Sequence, residues 1–170
     1  MLSEIDEATA KLRGVLHRLT DDDVRRPSLL PGWTGGHVLT HLARGGEALR
    51  RALHDEPPYP GQEQRDADIE AGAGRPVTEL TADVEASAAA FRAAVAAFPA
   101  DRWDEQVAIL HYPPFPKSQL LVRRLAEIEL HLVDLGVGYT PADWSPYYAA
   151  LELPEPLHTQ RADRLAATRT

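Results

Sequence analysis

Two pairs of residue types that can bind metals stand at helical spacing in this sequence. His37 and His41 are four residues apart, and so are Glu127 and His131. Side chains at positions i and i+4 share one face of a helix, and three protein ligands with a fourth position left open are typical of catalytic zinc. Metal ligation by His41, Glu127 and His131 is therefore one candidate role, although such spacing more often serves salt bridges or polar core contacts. His37 lies in the first helical turn and is the weaker ligand candidate, so a structural role or support of the ligands suits it equally well.

Arginines near these pairs could hold the carboxylates of a substrate. Arg123 and Arg124 come one turn before the glutamate, Arg44 comes one turn after the second histidine, and Arg65 and Arg75 fall in a long loop. A planar guanidinium forms paired hydrogen bonds with a carboxylate. Arg65, Arg75 and Arg124 are the predicted contacts for a small dicarboxylic acid or a polar thiol. The alternative for each of them is a surface ion pair.

The composition restricts the possible chemistry. The chain has 170 residues, a net charge of -8 and no cysteine. A disulfide, a thiolate ligand and a cysteine nucleophile are therefore excluded, and without a Gly-x-Ser-x-Gly motif we predict no catalytic residue beyond the metal ligands. The acidic balance argues against a nucleic-acid partner. The absence of a long apolar run or a signal-peptide pattern argues against a membrane partner and favours the cytoplasm.

Four stretches of helical periodicity must position these residues. Apolar side chains recur at helical spacing in each stretch, and prolines or glycines end it. The stretches cover residues 3–19, 34–54, 77–98 and 118–135. They predict an all-α fold, a mostly antiparallel four-helix bundle formed by residues 1–157.

The connections between the predicted helices are long. Residues 55–76 are predicted to be a loop with a helical turn or two at 64–70, and a loop of this length often covers a site. Residues 106–111 could be extended, and 158–170 are predicted to be a frayed tail. Gly45 and Gly46 inside the second helix indicate close packing or room for a ligand, with local tolerance as the alternative.

Three segments of the sequence resemble one known family. Residues 30–44 contain Leu-Pro-Gly-Trp-Thr and Gly-His-Val-Leu-Thr-His-Leu-Ala-Arg, and residues 59–75 contain Tyr-Pro and Arg-Asp-Ala-Asp-Ile-Glu-Ala-Gly-Ala-Gly-Arg. Residues 124–139 contain Arg-Leu-Ala-Glu-Ile-Glu-Leu-His-Leu-Val-Asp-Leu and Gly-Tyr. Together they resemble the mycothiol-dependent maleylpyruvate isomerase family, a branch of the DinB-like metal-binding bundles.

The resemblance implies a zinc enzyme that uses a low-molecular-weight thiol. The zinc ligands of the family correspond to His41, Glu127 and His131, and mycothiol acts as a thiolate. The thiolate adds to the cis double bond of maleylpyruvate, the bond rotates, and elimination gives fumarylpyruvate. Zinc suits this chemistry because it lowers the pKa of a bound thiol, although nickel accepts the same ligands.

This sequence departs from the resembled family in three respects. Family members often have Arg at the position of Gly35 and Asn at the position of Gly45, and the full isomerases continue into a C-terminal sterol-carrier-like domain that this sequence does not reach. Three functions therefore stay open: isomerisation of maleylpyruvate or a related small acid, thiol S-transfer to electrophiles, and metal binding without catalysis. The sequence leaves the oligomeric state open.

Overall fold

The chain is mostly helical, as its periodicity predicts. The structure is a computed structural model that describes residues 1–110 and 112–167. The α-helices within these ranges are α1 (Leu2–Leu16), α2 (Asp21–Arg25), α3 (Gly35–Leu53), α4 (Gln62–Ala73), α5 (Val77–Ala97), α6 (Gln119–Asp134), α7 (Pro146–Ala150) and α8 (Leu157–Ala167). None of these helices has the length and hydropathy needed to cross a membrane.

A short antiparallel ladder lies between α5 and α6 in the chain. Strand β1 (Gln106–Val107) pairs with β2 (Phe115–Pro116). The extended piece predicted at 106–111 is therefore a strand over its first two residues, and position 111 lies outside the described residues. Two 3-10 turns occupy Ala100–Arg102 and Pro141–Asp143.

The four longest helices pack around one apolar core. α3 contacts both α5 and α6, and α1 also contacts both of these helices. Their buried faces follow the apolar spacing of the sequence, and Leu80, Val84 and Phe91 of α5 are at most 1% exposed. Burial of a side chain of this size contributes roughly 1.5–3 kcal/mol. This packing sets α3 beside α6, the two helices that carry the predicted metal ligands.

A full helix occupies most of the segment that is predicted to be a loop. In place of a turn or two at 64–70, α4 runs for 12 residues and packs against α3. Only Ile69, Gly72 and Ala73 of this helix are buried. The prediction was wrong because a helix that is polar on most sides has almost no apolar period to detect.

Glycines allow α4 to approach α3 closely. A Cβ atom added to Gly36 would lie 2.0 Å from the carbonyl oxygen of Ala73, and one added to Gly72 would lie 2.5 Å from Thr40 Cγ2. Both distances are shorter than any real contact, so a side chain at either position would displace α4. The position of Arg65, which α4 carries, depends on this contact.

The C-terminal segment is helical and docked, not frayed as predicted for 158–170. α8 extends to Ala167, and residues 168–170 lie outside the described residues. Arg161 Nη1 donates to the carbonyl oxygens of Tyr148 and Leu151, each at 2.8 Å. Leu157 packs into the core. Long-range contacts hold this helix in place, and local periodicity cannot reveal them.

Two glycine substitutions should test the α3–α4 contact. A Cβ atom at Gly14, inside α1, would come no closer than 3.7 Å to a neighbouring atom, so Gly14→Ala should raise the free energy of unfolding by about 0.5–1 kcal/mol. Gly36→Ala should lower it by roughly 1–3 kcal/mol because the new methyl group meets a backbone carbonyl. Urea unfolding of the two variants measures both changes. A Gly36→Ala protein as stable as Gly14→Ala would show that α4 does not pack here.

Candidate functional site

The three predicted metal ligands lie on the wall of one cavity. The cavity has a volume of about 510 Å³, and His41 of α3 lines it together with Glu127 and His131 of α6. The imidazole rings of His41 and His131 meet edge to face, with 4.7 Å between their centroids. The spacing of four residues puts Glu127 and His131 on the same side of α6. The packing of α3 on α6 then brings His41 to the same place.

His131 is oriented by a carboxylate that an arginine holds in turn. Its Nδ1 lies 2.8 Å from Asp134 Oδ2, and Arg164 donates to both oxygens of Asp134, at 3.0 and 2.8 Å. Burial favours a higher pKa for Asp134, but the hydrogen bonds from His131 and Arg164 outweigh it and lower the pKa. An ionised carboxylate only accepts, so Nδ1 of His131 carries the proton and the lone pair is on Nε2. A histidine that binds a metal is usually held in this way.

Glu127 brings a carboxylate oxygen that the protein does not satisfy. Its Oε2 is buried and forms no hydrogen bond, and the nearest charge is Arg124 Nη1 at 3.7 Å. Burial raises the pKa of Glu127, and the positive charges of Arg124, Arg123 and Arg65 only partly oppose that effect. An acceptor left without a partner in the interior is costly, so this oxygen is suited to a cation.

Gly45 and Gly46 make room for the polar side chains of α6. A Cβ atom on Gly45 would lie 3.0 Å from Glu127 Oε2, and one on Gly46 would lie 3.1 Å from the Arg124 guanidinium. The two glycines therefore reflect close packing, one of the explanations that the sequence left open beside local tolerance. A side chain at position 45 would push directly on the Glu127 carboxylate.

His41 is neutral and already has a hydrogen-bond donor on one nitrogen. Burial lowers its pKa well below the ordinary value, and the positive charges of Arg65 and Arg124 lower the pKa further. Arg65 Nη2 lies 3.1 Å from His41 Nδ1. Trp33 packs against the imidazole, with 5.6 Å between the ring centroids.

His37 lies at the start of α3 and does not line the cavity. Its Nδ1 accepts a hydrogen bond from the backbone N–H of Thr34 at 3.1 Å, and its Nε2 lies 3.1 Å from Glu70 Oε2. Its ring stacks on Trp33, which does line the cavity. His37 therefore holds the entry to α3 and supports Trp33, in agreement with a supporting role and not with ligation.

The three arginines predicted to bind substrate lie in different environments. Arg65 lines the cavity. Arg75 is outside it, where it donates to the Gly72 carbonyl oxygen at 3.0 Å and to Asp83 at 2.8 Å. Arg124 is 1% exposed and donates to the carbonyl oxygen of Leu42 at 3.0 Å, behind Glu127. This geometry supports a substrate contact only for Arg65.

Arg123 is the arginine of α6 that lines the cavity. Its guanidinium carbon lies 4.1 Å from the centroid of the Phe115 ring and 5.2 Å from that of Tyr112. No carboxylate of residues 1–110 or 112–167 pairs with Arg123, and its Nε is buried without a hydrogen bond. The sequence contains a signal that separates Arg123 from Arg124. Arg124 is four residues from both Leu120 and Ile128, which are buried, so it shares their face of α6 and points into the core.

Tyr59 and Arg164 also belong to the cavity, and sequence reasoning did not select either of them. Burial raises the pKa of Tyr59 to about 12, and the negative charge of Glu127 contributes to the increase. The phenol is therefore protonated at neutral pH and can donate a hydrogen bond into the cavity. Tyr59 precedes α4 in an irregular segment and Arg164 lies on α8, far from the predicted ligands in the sequence, so their three-dimensional placement identifies them.

The donor atoms fit a divalent cation, although the side chains are not arranged around one. Within the two described ranges, no three His, Asp or Glu side chains meet in metal-binding geometry. Glu127 has an oxygen without a hydrogen bond, and His131 has its lone pair on Nε2. Two imidazoles and a carboxylate suit zinc or nickel.

Comparison with known proteins agrees with the resemblance in the sequence. Residues 5–136 match the family model described as the mycothiol maleylpyruvate isomerase N-terminal domain. Two crystal structures share a TM-score of 0.82 with the chain: a mycothiol-dependent maleylpyruvate isomerase, 27% identical, and a histidine-to-alanine mutant of such an isomerase, 26% identical. Each match covers 86% of this chain and 64% of the other, so the chain spans less than two thirds of their length. Comparison with curated proteins finds no match.

The matched segment contains all of α3 and α6, the helices that carry His41, Glu127 and His131. It also contains α4, which carries Arg65, and both glycines beside the site. With 132 of 170 residues matched, from 5 to 136, the chain belongs to the mycothiol maleylpyruvate isomerase N-terminal domain family.

Proposed function

We propose that this chain is a metal- and thiol-dependent isomerase. His41, Glu127 and His131 would hold a divalent metal, zinc, on a DinB-like, mostly antiparallel four-helix bundle. The cosubstrate would be mycothiol, and the substrate maleylpyruvate or a related small acid. The observation that carries the proposal is the position of all three ligand candidates on the wall of one cavity.

The protein's own groups account for the choice of ligands. Asp134 leaves His131 with a free lone pair on Nε2, and Glu127 keeps one oxygen without a hydrogen bond. His37 is engaged at both nitrogens by Thr34 and Glu70. The chemistry that zinc would supply here is to lower the pKa of the cosubstrate thiol.

The charge of the cavity supports an anionic substrate. Three arginines and one glutamate lie on its wall, in a chain whose net charge is -8: Arg65, Arg123, Arg164 and Glu127. Asp66 and Asp134 neutralise two of the arginines, whereas Arg123 has no carboxylate partner in the described part of the chain. We assign the binding of a substrate carboxylate to Arg123, in place of Arg75 and Arg124.

The remaining wall suits the rest of a small acid. Tyr59 can donate a hydrogen bond, and Trp33, Leu49 and Leu130 offer apolar surface to a carbon skeleton. This apolar surface also favours a second candidate function, S-transfer of the thiol to an apolar electrophile. The two functions differ in their need for Arg123, because only the acid has a carboxylate to pair with it.

Metal content should separate His131 from a histidine outside the site. We expect the purified protein to retain about one zinc per chain after dialysis, and His131→Ala to lose it, because the variant has only two of the three ligands. His54→Ala removes an exposed histidine at the end of α3 and should retain the metal. Elemental analysis measures all three proteins, and negligible metal in the unmodified chain would refute the proposed ligands.

Removal of the Asp134 charge beside His131 should lower the affinity for the metal but not abolish metal binding. Asp134→Asn keeps an oxygen near Nδ1 but removes the charge that orients the ring. We expect zinc affinity to fall roughly 10–100-fold, as is usual for such partners. A chelator competition assay measures this change, and an unchanged affinity would show that Asp134 does not orient a metal ligand.

Turnover should identify the substrate class. With mycothiol and zinc, we expect conversion of maleylpyruvate, and Arg123→Gln should raise its KM by roughly tenfold or more because a charge-assisted hydrogen bond is lost. Arg92→Gln removes an exposed arginine of α5 that pairs with Asp6, and should leave KM unchanged. If the protein converts a bimane electrophile but not maleylpyruvate, and Arg123→Gln leaves that rate unchanged, S-transfer would be favoured. Bound metal without turnover of either compound would indicate a non-catalytic module.

A further inference from the structure

The hydrogen bond from Arg65 uses a lone pair that His41 would need for a metal. Arg65 Nη2 lies 3.1 Å from His41 Nδ1. A guanidinium carries only donors, so Nδ1 must be the acceptor and must be unprotonated. A neutral imidazole has one such nitrogen, and the other carries its proton. In this arrangement His41 has no lone pair left for an ion.

The two histidines of the site are therefore prepared in opposite ways. Asp134 accepts a hydrogen bond from His131 Nδ1–H and leaves the lone pair on Nε2 available, whereas Arg65 donates to the acceptor nitrogen of His41. If a metal took Nδ1 of His41, it would displace Arg65 directly. If it took Nε2, the ring proton would move to Nδ1, and two N–H donors would then face each other. Both routes require Arg65 to leave.

We infer, on the basis of the proposed metal site, that Arg65 competes with the metal for His41 and turns to an anion in the cavity once the metal is bound. The same guanidinium that weakens metal binding in the absence of substrate then pairs with a carboxylate of the substrate. Metal and dicarboxylate are thereby coupled, and the coupling is reciprocal: each raises the affinity for the other.

The surroundings of Arg65 allow this exchange. Its side chain is 18% exposed, and its only ion pair in the described ranges is with the exposed Asp66, at 2.7 Å. It stands in the first turn of α4, while the last turn of that helix is fixed against α3 at Gly36. Arg65 already lines the cavity, so an anion there lies within reach of the side chain without movement of the helix.

Zinc titration by calorimetry tests the competition. We expect Arg65→Gln to bind zinc about tenfold more tightly than the unmodified protein, because the charge is gone and the shorter amide does not reach His41 Nδ1. Arg92→Gln, far from the cavity, should bind as the unmodified protein does. Maleate, an unreactive dicarboxylate probe, should tighten zinc binding in the unmodified protein and do so less in Arg65→Gln.

The outcomes separate this inference from the proposed function. Equal or weaker zinc binding by Arg65→Gln, with zinc bound by both proteins, would overturn the role of Arg65 alone. No zinc binding by any of the proteins would overturn the metal site as well.

A second measurement avoids the need for a folded variant. In the metal-free protein, long-range ¹H–¹⁵N spectra should show His41 protonated on Nε2 and His131 protonated on Nδ1. A His41 ring protonated on Nδ1 would rule out the hydrogen bond from Arg65 and overturn the inference.

Discussion

The site depends on the close contact between α3 and α6 at Gly45 and Gly46. Because Gly45 and Gly46 have no side chains, the Glu127 carboxylate and the Arg124 guanidinium of α6 lie directly against the backbone of α3. Arg124 donates to the carbonyl oxygen of Leu42, one residue after His41. The distance between the ligand-bearing helices is thus fixed by a buried polar contact and not by apolar side chains alone. Each glycine inside the helix lowers helix stability by about 1 kcal/mol relative to alanine, but only glycine lets the two helices approach this closely.

A buried charge in such a contact constrains the site more than it stabilises the fold. Arg124 is fully buried, and one of its terminal nitrogens, Nη2, forms no hydrogen bond. Burial lowers its pKa, while the negative charge of Glu127 opposes that effect. Buried ion pairs often contribute little net stability, but removal of one partner leaves a charge without compensation. Arg124 therefore opposes the effect of burial on Glu127 and limits where its carboxylate can lie, and the cavity-facing functions are left to Arg65 and Arg123.

The sequence predicts the parts of this molecule in which local pattern and tertiary contact agree. The four long helices have a continuous apolar stripe, and the i, i+4 pair of Glu127 and His131 needs only helix geometry to share a face. α4 and α8 escape prediction because long-range contacts hold them: glycine-mediated packing for α4, and the hydrogen bonds of Arg161 for α8. Arg123 and Arg124 are adjacent in the chain, so their side chains point about 100° apart around the helix axis. The spacing of Arg124 from the buried Leu120 and Ile128 shows which of the two points into the core. The prediction of Arg124 as a substrate contact overlooked that signal.

α8 makes the orientation of His131 depend on a segment beyond the matched family region. The family match ends at residue 136, but Leu157, Gln160 and Arg164 of α8 form part of the cavity wall. Arg164 reaches both oxygens of Asp134, and Asp134 accepts from His131. Any displacement of α8 would therefore remove a wall of the cavity and, at the same time, release the carboxylate that sets the protonated nitrogen of His131. The docking of α8 and the orientation of His131 therefore depend on each other, because Arg164 of α8 holds the Asp134 carboxylate that accepts from His131.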